Sequence, residues 1–373
     1  MLSIDGSYGE GGGQMLRTSL SLAAVLGREL RVFNIRANRS RPGLAAQHLT
    51  CVNAIAEVCG ARVEGAELRS TELTFEPGRA AGGDPAQAGR HGIAVRGGNY
   101  AWEIGTAGST SLVLQTVLPP LLFAAEPSTV EIRGGTNVPW SPAFEYLKNV
   151  FVPALSEMGT HVRLTRSRPG FFPKGGGHIR AEIAPLRKPL CPLEFTERGE
   201  PRSLRALSLV EARLPDHILR RQVEGAREAL GRAASGLSAE DLKLEADCPG
   251  TMLMIATAFE RGLGGFAALG KRGRPAEKVG AEAGRRAREF LGSGASVDAH
   301  LADQLLPYAA LAAGTSRYVT EEITQHLTTN AWVIGQFLDL DCDLDEATGM
   351  VTVAGTGLLP AEGEEANGGE DDG

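Results

Sequence analysis

Apolar and polar residues follow a recurring order along the chain: a helical stretch ending at glycine, a strand, a turn and a second strand. Three such units are recognisable, the last more weakly, with helix and strand segments at 54–60, 61–65 and 72–76; 155–159, 161–165 and 178–183; and 331–338, 340–344 and 350–353. The strands alternate apolar and polar residues and the helices carry one apolar stripe, which predicts small sheets backed by helices on one face. The pattern therefore predicts an α+β (α/β) fold that repeats one unit.

Between the second and third units the pattern changes to a strand, a helix and two further strands, at 207–212, 216–230, 242–246 and 252–258. Pro185 before this region and Gly273 after it mark breaks in regular structure. We predict a small inserted α/β domain over 186–274, with the repeated units forming a main domain over 1–185 and 275–357.

Composition adds limits on size and partners. The 373 residues are over twice a typical domain of roughly 150, so we expect two or three domains. Glycine contributes 48 residues, about 13% against a usual ~7%, so many backbone positions need its freedom. The formal charge of −7 argues against a protein that coats nucleic acid non-specifically. Because the six acids of the tail account for most of it, the rest of the chain is close to neutral and a local basic patch remains compatible.

Two segments are predicted to lack fixed structure. Residues 358–373 are rich in glycine, alanine and acid with little to bury, so we expect a disordered acidic tail. The Gly/Ala-rich loop from Gly78 to Gly92 is expected to be mobile.

The cysteines and the apolar runs indicate in which cellular compartment the protein is expected. The five cysteines are scattered without CxxC spacing, which favours neither a disulfide framework nor a zinc site. The longest apolar stretch, 112–125, is broken by Gln115 and two prolines, and the N-terminus lacks a basic and apolar leader. We expect a soluble, cytoplasmic protein with no membrane partner.

The segment Gly9-Glu-Gly-Gly-Gly-Gln14 follows a short strand and precedes an apolar-periodic helix. Such a turn lets backbone N–H groups approach an anion, although the segment is neither a Walker loop nor GxGxxG. Glu10 offers an oxygen ligand for a divalent cation, and Arg17 is a phosphate donor about one helical turn beyond the loop. The alternative is a tight turn that only packs strand on helix.

A basic segment follows, with Arg36, Arg39 and Arg41 leading to Gln47 and His48 at the start of a helix. Three arginines within six residues favour a compact phosphate-binding surface. The alternative is a solvated basic loop, and His48 taken alone is more typical of a structural histidine.

Two later segments offer polar groups on helices. The loop from Gly105 to Ser111 opens a helix in which Gln115 interrupts an apolar face, so Gln115 is either satisfied in the core or directed at a ligand. In the helix capped by Asp298, Asp303 and Gln304 could bind a ribose or a base edge and His300 could stack on one. The alternative for that helix is an ordinary amphipathic one.

The segment from Thr324 to Asn330 places His326 at or just before the first turn of a helix, with Thr324, Thr328 and Thr329 as possible caps. A helix N-terminus disfavours imidazolium, which keeps a ring nitrogen neutral and nucleophilic at pH 7. The same N–H groups can hold an attacked phosphate. The alternative is a histidine satisfied by structural hydrogen bonds.

Taken together, these segments resemble the RNA 3′-terminal phosphate cyclase family from about Leu2 to Val353. The resemblance rests on Arg133-Gly-Gly-Thr136, Phe171-Phe-Pro-Lys-Gly-Gly-Gly177 and the blocks GEGGGQ, RPGLAAQH, LVLQTVLP, LADQL and HLTTN. It implies three repeated βαβαββ-type units, related to the enolpyruvyl transferases, which form a catalytic domain, with a smaller α/β domain inserted before the last unit.

The resemblance also implies an activity. Family members use ATP and a divalent metal (Mg or Mn) to adenylate a histidine, pass AMP to an RNA 3′-phosphate end, and form a 2′,3′-cyclic phosphate as AMP leaves. The nucleophile matches His326, the metal carboxylate matches Glu10, and Arg17 and Arg39 are expected phosphate ligands. The ATP contacts carry over to Gln115 and to the run His300, Leu301, Ala302, Asp303 and Gln304.

Some positions depart from the family pattern, and two other functions stay open. Asn38 stands where glycine is common and His300 where tyrosine is expected, so base stacking there could be weaker or pH-sensitive. A non-catalytic relative that assists ribosome assembly would lack the nucleophile, and the presence of His326, Glu10 and Arg17 argues against it. An enolpyruvyl transferase would share the fold but needs no histidine nucleophile.

Overall fold

The computed structural model describes residues 1–78 and 95–360. The predicted mobile loop from Gly78 to Gly92 and the predicted acidic tail therefore lie, but for their first residues, outside the described part of the chain. That part of the chain contains four four-stranded sheets, three of which share one strand order.

The first two units have the same succession of elements. The first contains β1 (Leu2–Asp5), α1 (Gly13–Leu26), β2 (Leu30–Phe33), α2 (Ala46–Cys59), β3 (Arg62–Glu64) and β4 (Leu73–Glu76). The second contains β5 (Gly98–Glu103), α3 (Thr110–Leu122), β6 (Ser128–Gly134), α4 (Phe144–Tyr146), a π-helical turn (Leu147–Phe151), α5 (Val152–Glu157), β7 (His161–Arg168) and β8 (Gly177–Ala184). Their sheets run β1-β2-β4-β3 and β5-β6-β8-β7, with only the first pair of each parallel.

A fourth sheet interrupts the third unit. After the short strand β9 (Glu194–Phe195), the chain forms β10 (Pro201–Glu211), α6 (His217–Leu230), a 3₁₀ turn (Gly231–Gly236), β11 (Leu237–Leu244), β12 (Thr251–Phe259), β13 (Gly262–Leu269) and α7 (Ala276–Ser293). This sheet runs β11-β10-β12-β13, and it too has one parallel pair.

The third unit then resumes with α8 (Ala299–Leu311), β14 (Ala313–Val319), α9 (Gln325–Phe337), β15 (Asp341–Asp345) and β16 (Met350–Thr356). Its sheet runs β9-β14-β16-β15, so β9 takes the place that β1 and β5 hold in the other units, parallel to its neighbour. The insertion therefore lies within the last unit, between its first strand and first helix, rather than before it.

The domain limits differ from the predicted 186–274. Strand β9 lies inside that range but belongs to the third sheet, whereas α7 lies beyond it yet packs on α6 and on the inserted sheet. Gly280 allows this packing, because a Cβ there would overlap the Gln222 carbonyl oxygen of α6. We assign Pro201 to Ser293 to the inserted domain, since the buried apolar residues of α7 pack in its core.

The repeated α+β organisation and most predicted elements of the first two units are confirmed, but α9 begins six residues before the predicted helix at 331–338. Helices α1 and α2 end at Gly27 and Gly60, whose backbones are left-handed and close the last turn. No helix in the described ranges combines the length and apolar character needed to cross a membrane.

Candidate active site

The Gly-rich segment after β1 forms a tight turn held from both sides. Asp5 Oδ1 accepts hydrogen bonds from Ser7 N at 3.0 Å, Ser7 Oγ at 2.7 Å and Asn34 Nδ2 at 3.1 Å. Gly9 has φ of +57°, and a side chain there would overlap the Thr329 hydroxyl of α9. Glycine thus lets the turn lie directly against the start of α9.

His326 occupies the first turn of α9. Thr324 caps the helix by accepting a hydrogen bond from Leu327 N at 3.2 Å, which leaves His326 two residues inside the N-terminus. Its Nδ1 lies 2.8 Å from Oε1 of Gln14, in the first turn of α1. Because an amide oxygen only accepts, the ring carries its proton on Nδ1 and presents Nε2 with a lone pair.

The surroundings of His326 keep the ring neutral. Burial lowers the pKa of His326 below its usual value, and the positive charges of Arg17 and Arg39 lower it further. Glu10 Oε2 lies 3.5 Å from Nδ1 and would favour the charged ring. Arg39 contacts the same carboxylate and offsets that attraction, so the net direction is toward the neutral, nucleophilic form.

Glu10 is the one predicted metal ligand, and its side chain is 15% exposed. Its backbone N–H donates to Thr329 Oγ1 at 3.3 Å, which fixes the turn against α9. Across residues 1–78 and 95–360, no cluster of three or more His, Cys, Asp or Glu side chains could hold a metal. A single carboxylate fits Mg²⁺, which binds one or two protein carboxylates and completes its shell with phosphate and water.

Arg17 and His48 lie side by side below the turn, and Gly13 packs against both. Burial lowers the pKa of His48 to about 3, helped by the charges of Arg17 and Arg36, so His48 is neutral. Its Nδ1 accepts a hydrogen bond from Ala45 N at 3.3 Å at the start of α2. Burial also lowers the pKa of Arg17, the cation that faces His326 from α1.

The three arginines of the predicted phosphate-binding surface separate into different environments. Arg36 donates to the carbonyl oxygen of Gly43 at 2.7 Å and supports the loop. Arg39 reaches Glu10 beside the nucleophile, whereas Arg41 is exposed. The structure therefore brings one of the three to His326 and leaves another on the adjoining surface.

The predicted ATP contacts meet where α3 and α8 approach. Gln115 Nε2 donates to Gln304 Oε1 at 2.5 Å, and Gln304 Nε2 donates to the His300 carbonyl oxygen at 2.8 Å. The side-chain amide of Gln115 therefore has its hydrogen-bond partner on α8, in the amide of Gln304. Leu301 and Ala302 are fully buried, and their side chains pack in the apolar core.

Asp303 faces inward from α8. Burial raises the pKa of Asp303 to about 8 even though Arg17 lowers it, so at neutral pH the carboxyl is largely protonated and can donate a hydrogen bond. Its carbonyl oxygen accepts from Asn330 Nδ2 at 2.8 Å, and Asn330 Oδ1 accepts from Thr18 Oγ1 at 2.7 Å. This chain of hydrogen bonds ties α8, α9 and α1 together behind His326.

Gln14, the last residue of the Gly-rich segment, carried no predicted role. A polar side chain one turn before Arg17, on the face that carries it, was the available indication. The partner, 312 residues away, could not be inferred from local pattern.

Known proteins resemble this chain over almost its whole length. A sequence model of the family described as RNA 3′-terminal phosphate cyclase matches residues 8–344. The RNA 3′-terminal phosphate cyclase of Methylococcus capsulatus is 46% identical over 358 residues, which cover 95% of this chain and 97% of the relative. That of Archaeoglobus fulgidus is 42% identical over 338 residues, covering 91% and 96%.

A solved structure, the enolpyruvyl transferase NikO from Streptomyces tendae, matches with a TM-score of 0.37 and 12% identity, over 97% of this chain and 50% of that chain. The assignment rests on the sequence matches, which span both ends of the repeated architecture and include the Gly-rich turn and the start of α9. The chain belongs to the RNA 3′-terminal phosphate cyclase family.

Proposed function

We propose that the protein uses ATP to convert RNA 3′-terminal phosphate into a 2′,3′-cyclic phosphate through an AMP adduct of His326. One observation carries the proposal: His326 lies in the first turn of α9 with Nδ1 against Gln14 Oε1 at 2.8 Å, which leaves the lone pair on Nε2. Family membership supports the RNA substrate and the cyclisation. The ATP-dependent, ligase-type chemistry is inferred from the site.

In the first step, Nε2 of His326 attacks the α-phosphorus of ATP, a P–N bond forms and pyrophosphate leaves. The ring then carries a positive charge, because Nδ1 keeps its proton. Gln14 Oε1 accepts that N–H, and the Glu10 carboxylate at 3.5 Å stabilises the cation. Arg17 would neutralise charge that develops on the phosphate oxygens.

In the second step, a 3′-phosphate oxygen of the RNA attacks the adenylate phosphorus and the P–N bond breaks, which returns the histidine. The neighbouring 2′-OH then attacks the 3′-phosphorus and loses its proton, and AMP leaves. These steps replace a phosphate oxygen, which is a poor leaving group, with AMP joined through a phosphoanhydride, which leaves readily. Arg39, which contacts Glu10, would also bind the phosphate of the RNA end.

Glu10 is the residue that would hold a divalent ion, and when bound the ion would neutralise phosphate charge. Gln115 and Gln304 would contact the nucleotide at the junction of α3 and α8. Asp303, protonated at neutral pH, would donate a hydrogen bond to a ribose or base acceptor.

The test is to incubate the protein with α-labelled ATP and Mg²⁺ or Mn²⁺ and to look for label that stays on the protein, survives alkali and is lost in acid. His326→Ala should abolish the label. His217→Ala is a matched control, because His217 also lies in the first turn of a helix, that of α6, but belongs to the inserted domain. A wild-type protein without label, or label unchanged in His326→Ala, would refute the proposal.

A further inference from the structure

An aromatic stack lies beside the Gly-rich turn. The rings of Tyr8 and Trp332 of α9 are 3.9 Å apart between centroids and inclined by 18°. Trp332 is half-buried, whereas Tyr8 is 46% exposed although one of its faces is covered. The second face of the Tyr8 ring is therefore turned to solvent, and a flat ring placed on it would extend the stack.

The position of Tyr8 is fixed. Its N–H donates to the Asp5 carbonyl oxygen at 3.2 Å, and its own carbonyl oxygen accepts from Gly11 N at 3.0 Å. Tyr8 precedes Glu10 by two residues, which places their Cα atoms within about 7 Å of each other. Tyr8 therefore belongs to the same turn as the carboxylate that adjoins His326.

Positive charge borders the stack. The loop that follows β2 is joined to the turn by a hydrogen bond from Asn38 Nδ2 to the Ser7 carbonyl oxygen at 3.0 Å. This loop exposes Arg39 and Arg41. A ring platform next to cations is the arrangement with which proteins bind single-stranded nucleic acid, because bases stack on aromatics while arginines contact phosphates.

We propose that the open face of Tyr8 binds the 3′-terminal base of the RNA, the base of the nucleotide whose phosphate reacts at His326. The inference rests on the proposed function and adds a substrate subsite to it. Stacking does not distinguish the four bases, so Tyr8 positions the end of any single-stranded RNA. Arg41 would contact a phosphate further along the strand.

The chain contains a matched stack to serve as a control. Tyr100 and Trp102 of β5 are stacked with centroids 5.4 Å apart, and Trp102 Nε1 donates to Glu57 near the end of α2. Glu57 lies nine residues beyond His48, about 13 Å along the helix axis from the site. Tyr100→Ala therefore removes the same side chain from the same kind of stack, away from His326.

Binding is measured with a single-stranded RNA that ends in 2-aminopurine and a 3′-phosphate, because stacking quenches this base and no turnover is needed. We expect quenching with wild type, Tyr8→Phe and Tyr100→Ala, and little with Tyr8→Ala. The KM for RNA cyclisation should rise roughly tenfold in Tyr8→Ala, within the range found when a stacking aromatic is truncated. Labelling of His326 by ATP should stay unchanged, which shows that the variant folds and separates this step from RNA binding.

A second measurement uses RNA whose terminal nucleotide lacks its base. For wild type this substrate should show the same rise in KM as Tyr8→Ala shows with normal RNA, and combining the two changes should add nothing. Equal KM and quenching in Tyr8→Ala and wild type would overturn the proposal, as would a raised KM for ATP in the labelling step. Failure of wild type to form the adduct would refute the proposed function instead, while the quenching assay would still report on Tyr8.

Discussion

The hydrogen bond between His326 Nδ1 and Gln14 Oε1 yields the sharpest prediction about chemistry. Gln14→Leu keeps the size of the side chain but removes the acceptor at 2.8 Å. When the ring becomes cationic, a hydrogen bond to it contributes about 1.5–3 kcal/mol. This corresponds to a roughly tenfold to hundredfold slower adenylation. Because Glu10 Oε2 lies 3.5 Å from the same nitrogen and can take over part of the role, we expect the lower end, about tenfold.

The assay is single-turnover transfer of labelled AMP to the protein at saturating ATP, followed across pH. In wild type the pKa of His326 lies below its usual value, so the rate should be flat through neutral pH and fall only on the acid side. Gln14→Glu restores an acceptor but adds a negative charge, which raises the pKa of His326 and moves the acid limb upward. An unchanged rate in Gln14→Leu together with an unshifted limb in Gln14→Glu would show that Gln14 does not govern the ring.

Three further outcomes follow from the contacts. Burial raises the pKa of Asp303 to about 8 in the folded protein, against about 3.9 in an unfolded chain, so its contribution to stability is lost as pH rises between these values. The unfolding free energy of wild type relative to Asp303→Asn should fall by at most about 1.4 kcal/mol per pH unit in urea titrations from pH 4 to 8. Arg166 and Glu145 form an ion pair with side chains 6% and 4% exposed. Glu145→Gln should lower the free energy of unfolding in urea by about 3–5 kcal/mol, because it leaves the Arg166 charge buried without its partner, and equal stability would contradict this. Gln115→Ala removes the hydrogen-bond partner of the Gln304 amide on α8. It should raise the KM for ATP severalfold in the labelling assay without changing the KM for RNA, whereas an unchanged KM for ATP would mean that the nucleotide binds elsewhere.

Local pattern was sufficient for most elements of the repeated units. Strands with period two and helices ended by Gly27 and Gly60 follow from interactions between near neighbours, so the local sequence is enough to predict them. The start of α9 is the instructive exception. Its first turn, from Gln325, carries threonines with little apolar pattern, so the periodicity predicted a later start even though Thr324 was a possible cap.

The site divides in the same way. The Gly-rich turn, Glu10, Arg17 and His326 were singled out because each stands at a place where local chemistry is informative, a turn or a helix end. Their meeting was implied only by the family resemblance. Residues that act by contacting a distant partner, such as Gln14 and Tyr8, carried no comparable local indication, since their partners lie on α9, over 300 residues away.

What the sequence by itself determined is the repeated α+β unit, the first-turn histidine and the family, because these depend on periodicity, capping and motif order. Tertiary structure alone decided which segments belong together: β9 pairs with β14 across the whole inserted domain, and α7 joins the domain whose apolar face it covers. Strand pairing and helix packing are set by burial between segments far apart in sequence, and no local pattern encodes which two surfaces will meet. The same reason explains how an ordinary glutamine comes to hold the ring of His326.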